Sequence, residues 1–181
     1  MRFFIGVWLS EKMRGEVVQY IATAKRQIPG FKWTAPEQLH FTLKFLGEVE
    51  ERRVPSLTKA LEDSAKGKQP FELRLGKPGR FPERGIPRIL WIRLSSGKFE
   101  LEMLAEAVED ACIQSGFAAA DKPFKPHLTV ARAKEEQVGP KVPDLEVSWQ
   151  NVTLVSGFSL IESKLQPQGA VYRVVREFRF Q

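Results

Sequence analysis

The sequence predicts an α+β fold of two lobes, in which largely antiparallel sheets are flanked by helices and a cleft lies between the lobes. Short runs of alternating polarity occur along the whole chain, three longer segments have helical periodicity, and each half carries one His-x-Thr strand pattern. The two histidines, His40 and His127, lie 87 residues apart in a chain of 181, which suggests an internal duplication. Because no linker-like change of composition separates the halves, we expect residues 1–181 to form a single domain of two interleaved lobes.

The first half begins with strand residues and continues with helix and strand patterns in turn. Phe, Ile, Val and Trp dominate the opening run. Ser10 is suited to cap a helix, and Pro29-Gly30 is suited to end it. In chain order we expect a strand over 2–9, a helix over 10–28, an extended segment over 31–34, a turn over 35–38, a strand over 40–46 that Gly47 closes, and a helix over 52–65.

The second half ends in a series of strands. Phe71, Leu73 and Leu75 alternate with polar residues until Gly76, and the Gly, Pro and charged residues that follow predict a loop. Gly116 is a natural stop for the third helix. In chain order we expect strands over 71–75 and 89–94, a helix over 99–115, strands over 128–131, 146–154, 157–163 and 171–180, and loops over 77–88, 118–125, 134–143 and 164–169.

The composition is that of an ordinary globular protein, with 43% hydrophobic and 28% charged residues. No run of about 18 apolar residues could span a membrane, and the apolar N-terminus is too short for a signal peptide. Cys112 is the only cysteine, so an internal disulfide cannot form. The net charge of +6 favours a polyanionic partner, although a generic basic surface would give the same value. We therefore expect a cytoplasmic protein, and nothing in the sequence demands an oligomer.

The His-x-Thr patterns are the strongest chemical signal in the chain. Side chains at positions i and i+2 of a strand point to the same face, so His40 projects with Thr42, and His127 projects with Thr129. If both pairs meet in one cleft, one imidazole can act as a general base and the other as a general acid, while the two hydroxyls hold phosphate oxygens. One such pattern alone would indicate only a half-buried strand. A metal site is the weaker alternative, since no spaced carboxylate or Cys cluster accompanies the histidines.

Two blocks around these patterns resemble a known family. Residues 39–49 (LHFTLKFLGEV) and 126–132 (PHLTVAR) are similar to the paired motifs of the 2H phosphoesterases. The similarity is closest to the RNA 2',3'-cyclic phosphodiesterase branch, historically called the bacterial and archaeal 2'-5' RNA ligases. Residues 2–7, 88–91 and 163–172 also fit, so the resemblance spans the whole chain.

The resemblance implies a bilobal fold that hydrolyses a terminal ribose 2',3'-cyclic phosphate to a 2'-phosphate, with no metal or other cofactor. It implies that His40 is the proton donor to the leaving 3'-oxygen and that His127 is the proton acceptor that activates water. It further implies that Thr42, Thr129 and Arg132 bind the phosphate. Simple strand alternation places Arg132 on the face opposite His127, so it reaches the phosphate only if the strand bends, bulges or ends near Ala131.

Other basic and aromatic residues are candidates for RNA contact. Lys44 has the same parity as His40, which predicts a place at the edge of the cleft. Phe45 could stack on a base or be buried, and Lys125 could add charge near the cleft or be a solvated loop residue. Trp91, in an apolar strand, is predicted to lie in the core. Basic residues interleaved with aromatics, which suit single-stranded nucleic acid, are Arg80, Phe81, Arg84, Arg88, Trp91 and Arg93.

Taken together, the sequence predicts a metal-independent RNA 2',3'-cyclic phosphodiesterase. Its partner would be RNA with a 2',3'-cyclic phosphate end, with tRNA fragments as one candidate, and the reverse 2'-5' ligation would be weak. Two alternatives stay open: a 2H esterase that acts on another cyclic phosphate, such as a nucleotide or ADP-ribose derivative, and a binding module that has lost catalysis. Intact His and Thr in both halves argue against the binding module.

Overall fold

Nine strands and three helices make up the part of the chain that the computed structural model describes, residues 1–134 and 142–181. Their bounds are β1 (Arg2–Trp8), α1 (Glu11–Gln27), β2 (Phe31–Trp33), β3 (His40–Glu48), α2 (Val54–Ser64), β4 (Phe71–Phe81), β5 (Ile89–Ser96), α3 (Lys98–Gln114), β6 (Leu128–Ala133), β7 (Val152–Val155), β8 (Gly157–Gln166) and β9 (Gly169–Arg179). Short 3₁₀ turns precede β3 and α2, at Pro36–Gln38 and Glu51–Arg53.

All nine strands belong to one antiparallel sheet in the order β7-β4-β5-β6-β3-β1-β8-β9, with β2 added beside β6. The first lobe consists of β1, β3, β8 and β9 with α2 and α3, and the second lobe consists of β4 to β7 and β2 with α1. Helix α3 therefore packs on the first lobe although the strands before and after it in the chain, β5 and β6, belong to the second. The predicted α+β fold with antiparallel strands is confirmed, with the two predicted sheets fused into one.

The join between the lobes is a single residue pair. Strands β3 and β6 meet at Phe41 and Leu128, both fully buried. Extending this antiparallel register by one residue on each side places His40 opposite Thr129, and Thr42 opposite His127. The apolar residues between them point the other way, into the core. The register thus brings both His-x-Thr patterns together at the centre of the sheet.

The helices cover the face of the sheet that carries this core. The Ser10 hydroxyl accepts a hydrogen bond from the Met13 amide at 3.2 Å, which caps α1 as predicted. Helix α1 buries Met13, Val17, Ile21 and Ala24. Helix α3 buries its own apolar stripe, which is Leu101, Leu104, Ala105, Val108, Ala111 and Cys112. None of the helices in the described ranges is long and apolar enough to cross a membrane.

Three predicted boundaries are wrong. The loop predicted over 77–88 shrinks, because β4 continues past Gly76 to Phe81. Strand β7 pairs only with residues 71–74 of β4. Pro78 lies past the end of this pairing, at the edge of β4, so the strand loses no hydrogen bond to β7 through the missing proline amide. The hairpin loop predicted over 164–169 is only Pro167-Gln168, because β8 and β9 extend to its tip.

The strand predicted over 146–154 is too long, since only Val152–Val155 pair with β4. The backbone amides of Gln150 and Asn151 instead donate to the Glu16 carboxylate at 2.7 and 3.0 Å. A side chain of α1 therefore takes the place of a neighbouring strand. Of the loop predicted over 134–143, residues 135–141 lie outside the described residues.

Candidate active site

A cleft of about 210 Å³ opens on the face of the sheet opposite the helices, where β3 and β6 meet. Both histidines and both threonines of the His-x-Thr patterns line it, together with Arg132 and Phe45. The remaining lining residues are Lys32, Trp33, Thr34, Gln38 and Tyr172. The structure thus brings the five residues predicted to act on phosphate to one site.

The two imidazoles are anchored in the same way. His40 Nδ1 lies 2.6 Å from the Gln38 carbonyl oxygen, and His127 Nδ1 lies 2.6 Å from the Lys125 carbonyl oxygen. A carbonyl oxygen can only accept, so Nδ1 carries the hydrogen in both rings. Nε2 is therefore the nitrogen that is available for proton transfer in both histidines. His40 Nε2 lies 2.9 Å from the Thr42 hydroxyl oxygen.

A β-bulge in each His strand resolves the parity problem of Arg132. In the β5–β6 pairing, Leu90 is opposite Ala131 but Trp91 is opposite Thr129, so Val130 is the extra residue. The bulge turns Arg132 to the face of Thr129, where it lines the cleft. The same irregularity in β1–β3, at Leu43, turns Phe45 to the cleft, where its side chain is 69% exposed.

The bulge in β3 also corrects the prediction for Lys44. Alternation predicts that Lys44 projects with His40, but after the bulge it points to the helix face and is only 7% exposed. Its ammonium group lies 2.6 Å from the Glu109 carboxylate and donates to the Ala118 carbonyl at 3.0 Å. Glu109 also accepts the Ala120 amide at 2.7 Å. Lys44 therefore joins β3, α3 and the loop after α3, and does not contact the cleft.

His40 lies among aromatic side chains. Its ring centroid is 4.7 Å from that of Phe4, 5.8 Å from Trp8 and 5.5 Å from Tyr172. Gly6 is beside it: a Cβ there would lie 3.3 Å from His40 Cδ2 and 2.9 Å from the Phe41 carbonyl oxygen. Burial lowers the pKa of His40, and the positive charges of Arg132 and His127 lower it further, against the opposing effect of the Gln38 hydrogen bond.

His127 is exposed, and its aromatic neighbour among the described residues is Trp91. The Trp91 ring meets it edge-on, with 5.9 Å between centroids. The prediction that Trp91 lies in the core is wrong, because its position opposite Thr129 places it on the cleft face, where it is only partly buried. The Lys125 side chain is exposed and absent from the cleft lining, so its contribution to the site is the backbone carbonyl that holds His127.

Several residues of the cleft carried no sequence signal. Lys32 reaches it because β2 pairs with β6 and sets Lys32 opposite Arg132, a long-range pairing that no local pattern reveals. Gln38 holds His40 through its carbonyl, and its side-chain amide donates to the Ala170 carbonyl of β9. Tyr172 lies in the tail segment of the resemblance but had no predicted role. Burial raises the pKa of Tyr172, so the phenol is protonated at neutral pH.

Other kinds of site are not supported by the described residues. Within residues 1–134 and 142–181, no group of three or more His, Cys, Asp or Glu side chains is placed to hold a metal ion. Cys112 is fully buried, and burial raises the pKa of its thiol to about 12, so it is not a reactive thiolate. The titratable side chains of the cleft are the two histidines, Lys32, Arg132 and Tyr172.

Comparison with known proteins identifies the family of the chain. The family model described as LigT-like phosphoesterase matches residues 7–91 and 94–172. An RNA 2',3'-cyclic phosphodiesterase of Thermus thermophilus is 36% identical over 184 residues, which cover 98% of this chain and 89% of that protein. A protein of the same name from Archaeoglobus fulgidus is 35% identical over 182 residues, which cover 98% of this chain and 99% of that protein.

The fold agrees with a solved structure as well. A crystal structure of a Thermus thermophilus protein matches with a TM-score of 0.86 and 35% sequence identity, over 99% of this chain and 98% of that one. Sequence and fold therefore agree over nearly the whole chain, and the chain belongs to the LigT-like phosphoesterase family of the 2H superfamily.

Proposed function

We propose that the chain is a metal-independent RNA 2',3'-cyclic phosphodiesterase, which hydrolyses the cyclic phosphate at an RNA end to a 2'-phosphate. The observation that carries the proposal is the matched anchoring of two imidazoles in one cleft, each with Nδ1 bound to a carbonyl and Nε2 available. The names of the relatives, at 35–36% identity over nearly the full chain, support the same reaction.

In this mechanism the two histidines act on opposite sides of the phosphorus atom. His127 Nε2 takes a proton from a water molecule as the water oxygen forms a bond to phosphorus. The bond from phosphorus to the 3'-oxygen breaks, and His40 Nε2–H gives its proton to that oxygen. The products are a 2'-phosphate and a free 3'-hydroxyl, with His127 protonated and His40 neutral. Proton exchange with solvent then restores both rings.

Phosphate binding is assigned to Thr42, Thr129 and Arg132. The two hydroxyls flank the point where β3 and β6 meet, and each can donate to one non-bridging oxygen. The Arg132 guanidinium adds charge-assisted hydrogen bonds to the same oxygens. Since charge on these oxygens changes as the fifth bond to phosphorus forms, donors fixed on strands stabilise the transition state without reorganising.

The environment of His40 fits a general acid whose protonated form is stabilised when the substrate binds. In the free protein, burial and the charge of Arg132 lower the pKa of His40 and favour the neutral ring. A phosphodiester carries a negative charge, so its binding beside His40 favours the imidazolium. The desolvated imidazolium is then a stronger acid towards the 3'-oxygen than one in water.

We further propose that the chain acts as a single domain and as a monomer, since both halves contribute to one hydrophobic core and to one cleft. Its partner is RNA with a 2',3'-cyclic phosphate end, for which tRNA fragments are candidates. By microscopic reversibility the same groups can join such an end to a hydroxyl as a 2'-5' linkage. This ligation is weak, because water competes and opening of the strained ring favours hydrolysis.

One assay tests the proposal. An RNA oligomer ending in a 2',3'-cyclic phosphate is incubated with the protein and with EDTA, and the position of the product phosphate is determined by ³¹P NMR. We expect full turnover in the presence of EDTA and only the 2'-phosphate as product. Loss of turnover with EDTA would refute metal independence, and a 3'-phosphate product would refute the assigned direction of ring opening. Binding without any turnover would favour a binding module.

A further inference from the structure

A row of four side chains leads out of the cleft across four strands. Residues that are paired directly in an antiparallel sheet point to the same face. Phe81 is paired with Ile89, Ile89 with Arg132, and Arg132 with Lys32. We call Lys32, Arg132, Ile89 and Phe81 the cationic row. Lys32 and Arg132 line the cleft, so the row starts inside the active site and runs over β5 to β4.

The first lobe has a corresponding row of different chemistry. Phe45 is paired with Phe4, Phe4 with Ile161, and Ile161 with Val174. We call these four residues the apolar row. It offers no charge and no hydrogen-bond donor from its side chains, so it cannot neutralise a phosphate. Phe4 and Ile161 are buried, so Phe45 is the member of the apolar row that lines the cleft, whereas Lys32 and Arg132 of the cationic row both line it.

The outer end of the cationic row has the features of a surface for single-stranded nucleic acid. Phe81 is 61% exposed, although it is a large apolar side chain. Arg84 and Arg88, in the loop between β4 and β5, are exposed as well, and the Arg88 amide donates to the Phe81 carbonyl at 2.7 Å. On the neighbouring row, the Arg93 guanidinium lies 5.0 Å from the centroid of the Trp91 ring and 3.6 Å from the exposed Glu83 carboxylate. Aromatic faces with guanidinium groups between them bind bases by stacking and phosphates by charge.

Charge at the inner end of the row supports the same partner. Among the described residues that line the cleft, Lys32 and Arg132 carry a positive charge at neutral pH, and none is a carboxylate. Two cations that face no carboxylate among the described residues of the cleft attract more than one negative charge. The terminal cyclic phosphate carries only one, so the site has capacity for a second phosphate.

We propose that the cationic row binds the RNA chain on the 5' side of its cyclic-phosphate end. The phosphodiester that links the last two nucleotides lies between Lys32 and Arg132, and the base of the penultimate nucleotide lies across Ile89 against Phe81. Arg132 has five N–H donors and can also contact the cyclic phosphate. The base of the terminal nucleotide faces the apolar row, at Phe45. This inference rests on the proposed function and adds that the preferred substrate is an oligonucleotide.

The test compares two substrates that share the same reacting group: uridine 2',3'-cyclic phosphate and an RNA trinucleotide that ends in it. The measured quantity is the ratio of kcat/KM for the trinucleotide to kcat/KM for the mononucleotide. We expect Lys32→Gln to lower this ratio about tenfold, as for loss of a charge-assisted hydrogen bond. We expect Phe81→Ala to lower it roughly fivefold through loss of base stacking. The matched controls, Lys12→Gln and Phe99→Ala, change exposed residues on α1 and α3 and leave the ratio unchanged.

Binding in the absence of turnover gives an independent measurement. The affinity of a fluorescent trinucleotide without a cyclic phosphate is measured by anisotropy at several salt concentrations. We expect the slope of log K against log salt to become shallower by about 0.7 in Lys32→Gln, which corresponds to one lost phosphate contact on a single strand.

The outcomes separate the two proposals. Turnover of both substrates with equal kcat/KM, or equal losses on both substrates in the row variants, would overturn the role of the row and leave the proposed function standing. Absence of turnover on either substrate by the unmodified protein would overturn the proposed function. An unchanged salt slope in Lys32→Gln would also remove Lys32 from the phosphate site.

Discussion

The strand pair that carries His40 and the strand pair that carries His127 share one backbone arrangement but differ in the side chains around the ring. Both β1–β3 and β5–β6 have the bulge at the same place, one residue after the threonine. Both rings donate Nδ1–H to the carbonyl two residues earlier. The residue opposite the threonine, however, is Gly6 in the first pair and Trp91 in the second. The residue three positions after the threonine is Phe45 in the first pair and Arg132 in the second.

This difference teaches how a symmetric fold can hold an asymmetric site. The repeated register fixes where each imidazole lies, and the unmatched neighbours set its environment. His40 is enclosed by aromatic rings and has a lowered pKa, whereas His127 is exposed. The cation of the second pair, Arg132, acts on the imidazole of the first. Each predicted change below alters one side of this comparison and leaves the other side as its reference.

The largest expected effect comes from removing either imidazole. His40→Ala and His127→Ala should each lower kcat by a factor of about 10²–10⁴, the usual contribution of one general acid or base. Because both rings act in one step, the fold-decrease in kcat of the double variant should be much smaller than the product of the two single fold-decreases. Steady-state kinetics with the cyclic-phosphate RNA, together with thermal unfolding to confirm the fold, provides the check. Undiminished turnover in either single variant would exclude paired-histidine catalysis.

A second change tests a buried position that carries a charge in the first strand pair and a small apolar side chain in the second, Lys44 against Ala131. Lys44→Met removes one partner of a buried ion pair and leaves Glu109 without its cation. We expect it to lower the free energy of unfolding by about 3 kcal/mol, measured by urea denaturation. Lys44→Met combined with Glu109→Gln should recover part of this loss, while KM stays near the original value in both. A large rise in KM with unchanged stability would instead return Lys44 to the cleft.

The cation of the second strand pair can be removed without touching either histidine. Arg132→Gln should lower kcat/KM by about 10- to 100-fold, as for loss of hydrogen bonds from a charged donor. Because the charge of Arg132 lowers the pKa of His40, its removal raises that pKa, and the limb of the pH–rate profile that reports His40 shifts to higher pH. Arg26→Gln, an exposed position on α1, is the control with the same charge change. A profile that does not shift would mean that Arg132 and His40 are not coupled.

The smallest effect concerns stability against pH. The pKa of His40 is lower in the folded protein than in the unfolded chain, so the unfolded chain binds a proton first as the pH falls below about 6.5. His40 therefore lowers stability progressively as pH falls through this range and has no such effect above it. Measured by Tm at pH 7.5 and pH 5.5, the unmodified protein should lose slightly more stability than His40→Gln. An equal loss in both would show that burial does not disfavour the charged ring.

Local patterns in the sequence predicted the parts of this molecule that depend on neighbouring residues. Ser10 and its hydrogen bond to Met13, the three helices and the two His-x-Thr strands all follow from periodicity and capping. The prediction that the His strands meet followed from the expected duplication and from the apolar residues between His and Thr. Their actual join, through the pair of Phe41 and Leu128, agrees with it.

The remaining features depend on how distant strands pair. A bulge reverses the faces of all residues after it, so alternation failed for Lys44 and could not place Arg132 or Phe45. Lys32 enters the cleft through the pairing of β2 with β6, about 100 residues away in the chain. Gln150 and Asn151 leave the expected strand because a side chain of α1 takes up their amides. None of these events leaves a mark in a short window of sequence.

The missing side chain at Gly6 sets a limit on how alike the two halves can become. Any larger residue there would push against the Phe41 backbone and the His40 ring, whereas the second half fills the corresponding position with Trp91, the largest side chain available. Exchanging the two residues would therefore displace one imidazole and leave the other without support. The two halves of this fold therefore cannot carry identical sequences, because they depend on opposite solutions at the same place.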